Sequence, residues 1–167
     1  MKKEGIIVIG SGLLLATLIY LAPRFSTTAV EKNTEATAEN HNHSPDSLEI
    51  MVQQAVEMLN TGSAPPMQAI GLLRKVVEIE PNHVNGNFYL GYFSIMSGQF
   101  DKAKERLSIV LQALPEHADA LLLMAQANKG LGQNEEAKAH LKKCLAANPS
   151  TETKGQAEAL LAEIEKL

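Results

Sequence analysis

The chain has 167 residues, room for one domain and a tail, with 45% apolar residues, 4% aromatics, no Trp and a net charge of −4. That charge leaves no electrostatic footprint for a nucleic-acid partner, and the single cysteine, Cys144, excludes an internal disulfide. A chain rich in Ala and Leu but poor in rings favours helices over sheets.

Residues Ile6 to Pro23 read IIVIGSGLLLATLIYLAP without a charge. As a helix this run spans about 27 Å, close to the hydrocarbon thickness of a bilayer, so residues 6–23 are predicted to form a transmembrane anchor. Lys2 and Lys3 precede the run and Arg24 follows it. The positive-inside rule then puts residues 1–5 in the cytoplasm and everything after Arg24 outside. Tyr20 suits the outer interface. A cleaved signal peptide is the competing reading, but the apolar run is longer than such a core and Thr27-Thr28-Ala29 is a poor cleavage site. No Cys follows the run, so lipid attachment there is not offered.

Residues 24–45 are predicted to be a flexible linker, because FSTTAVEKNTEATAENHNHS is polar and shows neither helical nor strand periodicity. His41 and His43 lie in it without the further ligands a metal would need. Ser44-Pro45-Asp46 reads as a helix start, with Ser44 as N-cap and Pro in the first turn.

From residue 46 onward the chain repeats itself. Pro81, Pro115 and Pro149 are 34 apart, and so are Ala69, Ala103 and Ala137, Leu73, Leu107 and Leu141, and Val77, Leu111 and Leu145. Gly98 and Gly132 keep the same spacing. Such a shared, gapless period marks a helical repeat. In the second unit NFYLGYFSIMSGQ reads as one helix ended by Gly98, and FDKAKERLSIVLQALP as another stopped before Pro115. Ala103, Leu107, Val110 and Leu111 form one apolar stripe on the latter. Ala103 and Gly91 are small where the two helices would cross. The third unit repeats the plan, with Ala125 in the place of Gly91 and Asn134 as the expected N-cap of its second helix. The first unit carries one extra residue, assigned to the loop bearing Ala64-Pro65-Pro66. STETKGQAEALLAEIEKL, after Pro149, is apolar on one face only, as a capping helix requires. The predicted repeats are therefore about 49–83, 84–117 and 118–151, with a capping helix over 152–167.

Leu90-Gly91, Gly98, Ala103 and Pro115, and again Met124-Ala125, Gly132, Ala137 and Pro149, resemble the tetratricopeptide repeat family. The resemblance implies an all-α solenoid of about three helix-turn-helix units plus a cap, here preceded by one transmembrane helix. Asn87 and Ser94 depart from the large residues usual at their positions. In the family the first helix of each unit lines a concave groove. Carried onto this chain, the lining positions are Asn85, Phe88, Tyr89, Tyr92, Ile95 and Met96 in the second unit, and Asp119, Leu122, Leu123, Gln126 and Lys129 in the third. Tyr89 and Tyr92 have the shape and hydrogen-bonding tip of a binding hot spot, although some of these residues are equally suited to packing between units. Only Lys129 is basic among them, which points to an apolar or aromatic-bearing segment and away from a gripped carboxylate.

Nothing in the pattern suggests an enzyme, a cofactor or a metal site. His83 and His117 each follow a repeat proline by two residues and so mark a turn, and His140 lies on a polar helix flank. Cys144 shares a column with Val76 and Val110 and reads as a small core residue. The expected function is a scaffold or adaptor at the outer face of a bacterial inner membrane that binds a protein or peptide partner. The alternatives are a self-associating structural protein of the cell envelope, or an accessory subunit of an envelope assembly system such as cytochrome c maturation.

Overall fold

The computed structural model describes residues 45–166, and these form seven helices. They are α1 (Pro45–Thr61), α2 (Pro66–Ile79), α3 (Val84–Met96), α4 (Phe100–Ala113), α5 (Ala118–Gly130), α6 (Asn134–Ala146) and α7 (Thr151–Ile164). The predicted anchor over 6–23, the linker up to Ser44 and the pair His41 and His43 lie outside the described residues. Among the described residues no helix is long and apolar enough to cross a membrane.

The helices pair as α1/α2, α3/α4 and α5/α6, with α7 standing alone in the place of a fourth unit's first helix. Four residues (62–65) separate α1 from α2, whereas three separate α3 from α4 (97–99) and α5 from α6 (131–133). The extra residue of the first unit therefore sits in that loop, and Pro66 opens α2 at a position where its missing N–H has no helical partner to lose.

The turns inside units two and three are built alike. Gly98 and Gly132 have φ of 71° and 73°, a left-handed conformation that a side chain disfavours. Each glycine N–H bonds back to Ile95 or Lys129, and the next N–H, of Gln99 or Gln133, bonds to Ser94 or Asn128. This double bond pattern satisfies the last carbonyls of α3 and α5. It also corrects the expectation for Asn134. The chain leaves Gly132 straight into α6, so Gln133 takes the cap position, without a side-chain cap bond, and Asn134 is already the first helical residue.

The turns between units share a second device. Nδ1 of His83 accepts from the Gly86 N–H at 3.2 Å, and Nδ1 of His117 accepts from the Ala120 N–H at 3.3 Å. Ser150 does the same for α7, accepting from Thr153 at 3.1 Å. The two histidines that mark the turns are thus N-caps, satisfying an N–H that the first turn of a helix leaves open.

Packing follows the repeat columns. Ala69, Leu73 and Val76 of α2, Ala103, Leu107 and Val110 of α4, and Ala137, Leu141 and Cys144 of α6 have no exposed surface. A Cβ on Gly91 would lie 2.9 Å from Cγ of Leu107, so glycine is what lets α3 and α4 approach this closely. Asn87, at a position where the family carries a large residue, is also fully buried. Its amide donates to the carbonyls of Pro81 and His83 at 2.8 and 2.9 Å, and its oxygen accepts from Arg106 at 3.0 Å. A satisfied polar side chain therefore replaces ring packing there.

Candidate functional site

Successive first helices touch one another, α1 with α3, α3 with α5 and α5 with α7, while α2, α4 and α6 pack chiefly against first helices. In a curved stack the inner layer is the crowded one, so the first helices form the concave face. Polar bonds tie that row together. Both carboxylate oxygens of Glu49 accept from the Asn85 amide, at 2.9 and 3.0 Å. Asp119 accepts from the Thr153 hydroxyl at 2.6 Å, and Lys129 pairs with Glu163.

These contacts divide the eleven predicted groove residues. Asn85, Asp119 and Lys129 are half-buried and engaged between neighbouring first helices. Leu122 and Leu123 are not groove residues: they are 1% and 4% exposed and belong to the core, because α5 is enclosed by units on both sides. Phe88 is buried as well, stacked on His117 with ring centroids 5.1 Å apart and edge-on to Tyr89 at 5.3 Å. Tyr89 is only 7% exposed, so it too is mainly a packing residue. Tyr92, Ile95 and Gln126 are half-buried and Met96 is exposed. These four remain within reach of a ligand, with Tyr92 braced edge-on by Phe93 at 5.3 Å.

The sequence reading missed Glu49, Thr153 and Glu163 as members of this row. For two of them a signal existed. Thr153 stands one period of 34 after Asp119, and Glu163 one period after Lys129. The repeat therefore continues into α7, and the capping helix supplies inner-row partners.

Electrostatics agree with the packing. Burial pushes the Tyr89 phenol up to about 12, and the carboxylates of Glu49 and Asp119 add to the effect. Burial also raises Tyr92. Both phenols therefore stay neutral and able to donate at any physiological pH. The Cys144 thiol is raised by burial and then by Asp119, which keeps it protonated and unreactive. The folded state holds the Tyr89 proton more tightly than the unfolded chain, whose tyrosine titrates near 10. Its contribution to stability is complete below pH 10 and is lost as pH rises towards 12. In alkaline urea melts the wild type should therefore lose up to about 2 kcal/mol more than Tyr89→Phe across that window. Parallel losses in the two proteins would show that the site does not favour the neutral phenol.

No group of three or more His, Cys, Asp or Glu among the described residues is placed to hold a metal. His140 is bound up with Asn128. Its Nδ1 lies 2.8 Å from the Glu136 carbonyl and 3.1 Å from the Asn128 amide nitrogen, and the Asn128 oxygen is buried without a partner. Both contacts lie inside the α5/α6 hairpin, so His140 is a packing residue there.

A tetratricopeptide repeat family model matches residues 95–164, less than half of the chain. No curated protein matches the sequence. Solved structures show the fold. The first tetratricopeptide domain of Spaghetti (RPAP3), bound to an HSP90 peptide, superposes with a TM-score of 0.65 at 15% identity, covering 76% of this chain and 97% of that one. The Yersinia enterocolitica type III secretion chaperone SycD, in complex with a peptide of the translocator YopD, gives 0.64 at 17% identity, with 75% and 97% covered. A point mutant of MamA gives 0.60 at 21% identity, with 74% and 70% covered. The described part of the chain thus has the fold of a tetratricopeptide array.

Proposed function

We propose that this protein is a membrane-tethered adaptor that holds a segment of a protein partner along its inner row of first helices. The observation that carries this reading is the accessible strip of Tyr92, Ile95, Met96 and Gln126 on a framework whose polar groups are already bonded to one another. A surface made of apolar and aromatic side chains on rigid helices suits an apolar or aromatic-bearing segment. Lys129 is neutralised by Glu163, so the strip offers no cluster of free cations for a terminal carboxylate. Two proteins of the same fold were solved with peptides bound, which supports the class of ligand but not its identity.

The apolar run over 6–23 supplies the tether, with the array outside the cytoplasm. Tethering would raise the local concentration of the array near membrane partners. End-to-end self-association is the weaker alternative, because α7 does not continue the outer packing. Glu158 stands in the column of buried Leu90 and Met124, and it is exposed together with Ala159. A further second helix would have to bury that carboxylate.

Topology tests the tether. A reporter active only outside the cytoplasm, fused after Leu167, should be active, and the chain should stay with membranes through a salt wash. Release of a shortened, soluble protein would overturn it.

A further inference from the structure

The opposite side of the array carries a second candidate surface. Between α2 and α4, floored by α3, lies an open groove of about 400 Å³. Its apolar lining comes from Leu90, Ile70, Phe93 and Met67, the last 64% exposed. Arg74, Lys102 and Arg106 stand around it, against Glu105 alone. Arg106 donates to Asn87 and Lys102 to Gln99, both neutral partners, and no ion pair among the described residues engages any of the three cations. A cationic, apolar groove on a chain of net charge −4 is a local reversal of sign.

The furrow one unit further on shows which residues open this one. At the columns of Ile70, Arg74 and Phe93, 34 positions on, stand Lys104, Ser108 and Ala127. At the column of Lys102 stands Glu136. There the Lys104 ammonium donates across to Gln133, so a polar bridge spans the furrow. The same fold thus carries a bridged, mixed-charge furrow in one place and an apolar, cationic one in the other. Only side chains at matching columns differ.

We propose that the groove between α2 and α4 is a docking site for an acidic peptide segment with bulky apolar side chains, separate from the inner row. The volume lies at the small end of the range for ligand pockets, which suits side-chain anchors. The unpaired cations would meet the flanking carboxylates, attract the segment over a distance and set its orientation.

The test uses the full-length chain and a fluorescein-labelled synthetic peptide of Glu and Asp with Leu and Phe at helical spacing, followed by anisotropy. Ile70→Lys with Arg74→Ser copies Lys104 and Ser108, leaves the net charge unchanged and uses residues this fold already holds at those columns. It should weaken binding roughly tenfold or more. Lys102→Glu, a single change at an exposed position that copies Glu136, should weaken it severalfold and serves if the double variant misfolds. Higher ionic strength should weaken binding to the wild type. Met96→Ala with Gln126→Ala, two inner-row positions outside the groove lining, should leave it unchanged, which separates this site from the inner row. Wild-type binding by both groove variants would overturn the proposal. So would equal binding of a control peptide with Ser in place of Leu and Phe, since that means charge attraction alone. Loss of binding in the Met96/Gln126 variant would also overturn it, by placing the peptide on the concave face.

Discussion

Leu107→Ala should destabilise the array by about 3–5 kcal/mol, the upper part of the range for a buried Leu truncation. Leu107 has no exposed surface and lies directly under the backbone of α3 at Gly91. The space left cannot collapse easily, because its roof is a helix backbone and its sides are fully buried Ala103 and Val110. The effect should also spread. Each unit is stabilised by its neighbours, and the central unit couples the first to the third, so urea unfolding should broaden as well as shift. Glu105→Ala, an exposed change two residues away, should move stability by less than about 0.5 kcal/mol.

The close approach can be tested in the same series. Gly91→Ala puts a Cβ 2.9 Å from Cγ and 3.0 Å from Cδ2 of Leu107, and should cost about 1–3 kcal/mol in the wild type. In the Leu107→Ala background that clash is gone, and the better helix propensity of Ala should make the same change neutral or favourable. Additive effects in this cycle would mean that the α3/α4 crossing is looser than described.

The second large effect concerns binding. Tyr92→Ala with Met96→Ala should reduce recovery of the native partner from crosslinked membranes by roughly thirtyfold, equivalent to about 2 kcal/mol. Tyr92 and Met96 are four apart on α3, hence on one face. Neither is a fully buried residue, so the helical circular-dichroism signal should persist. Tyr89→Ala is the wrong experiment for this purpose. Its ring is 7% exposed and edge-on to Phe88, so lost binding would be mixed with lost packing. Lys138→Ala, on α6, is the control and should recover the partner normally. If the Tyr92/Met96 variant is folded and recovers its partner at the wild-type level, the concave face is not the working surface.

The sequence by itself determined the repeat, the helix pairs and the places of the turns. These features are local or strictly periodic. A left-handed glycine, a proline after a helix and a small residue at a crossing each act within one unit, so recurrence at 34 residues exposes them. The tertiary structure decided which inner-face residues remain accessible. That depends on the neighbouring unit, which no single column describes. The family pattern puts the columns of Phe88 and Leu122 and of Tyr89 and Leu123 in the groove, and stacking on both sides buries them. It also decided the role of α7, which a one-sided apolar pattern marks as a cap. Its Thr153 and Glu163 reach Asp119 and Lys129 only because the helix takes the stacking position of a fourth unit. The outer groove has the same origin. Ile70, Arg74, Phe93 and Lys102 carry no signal in sequence, and only the spacing of α2 and α4 across α3 brings them to one surface.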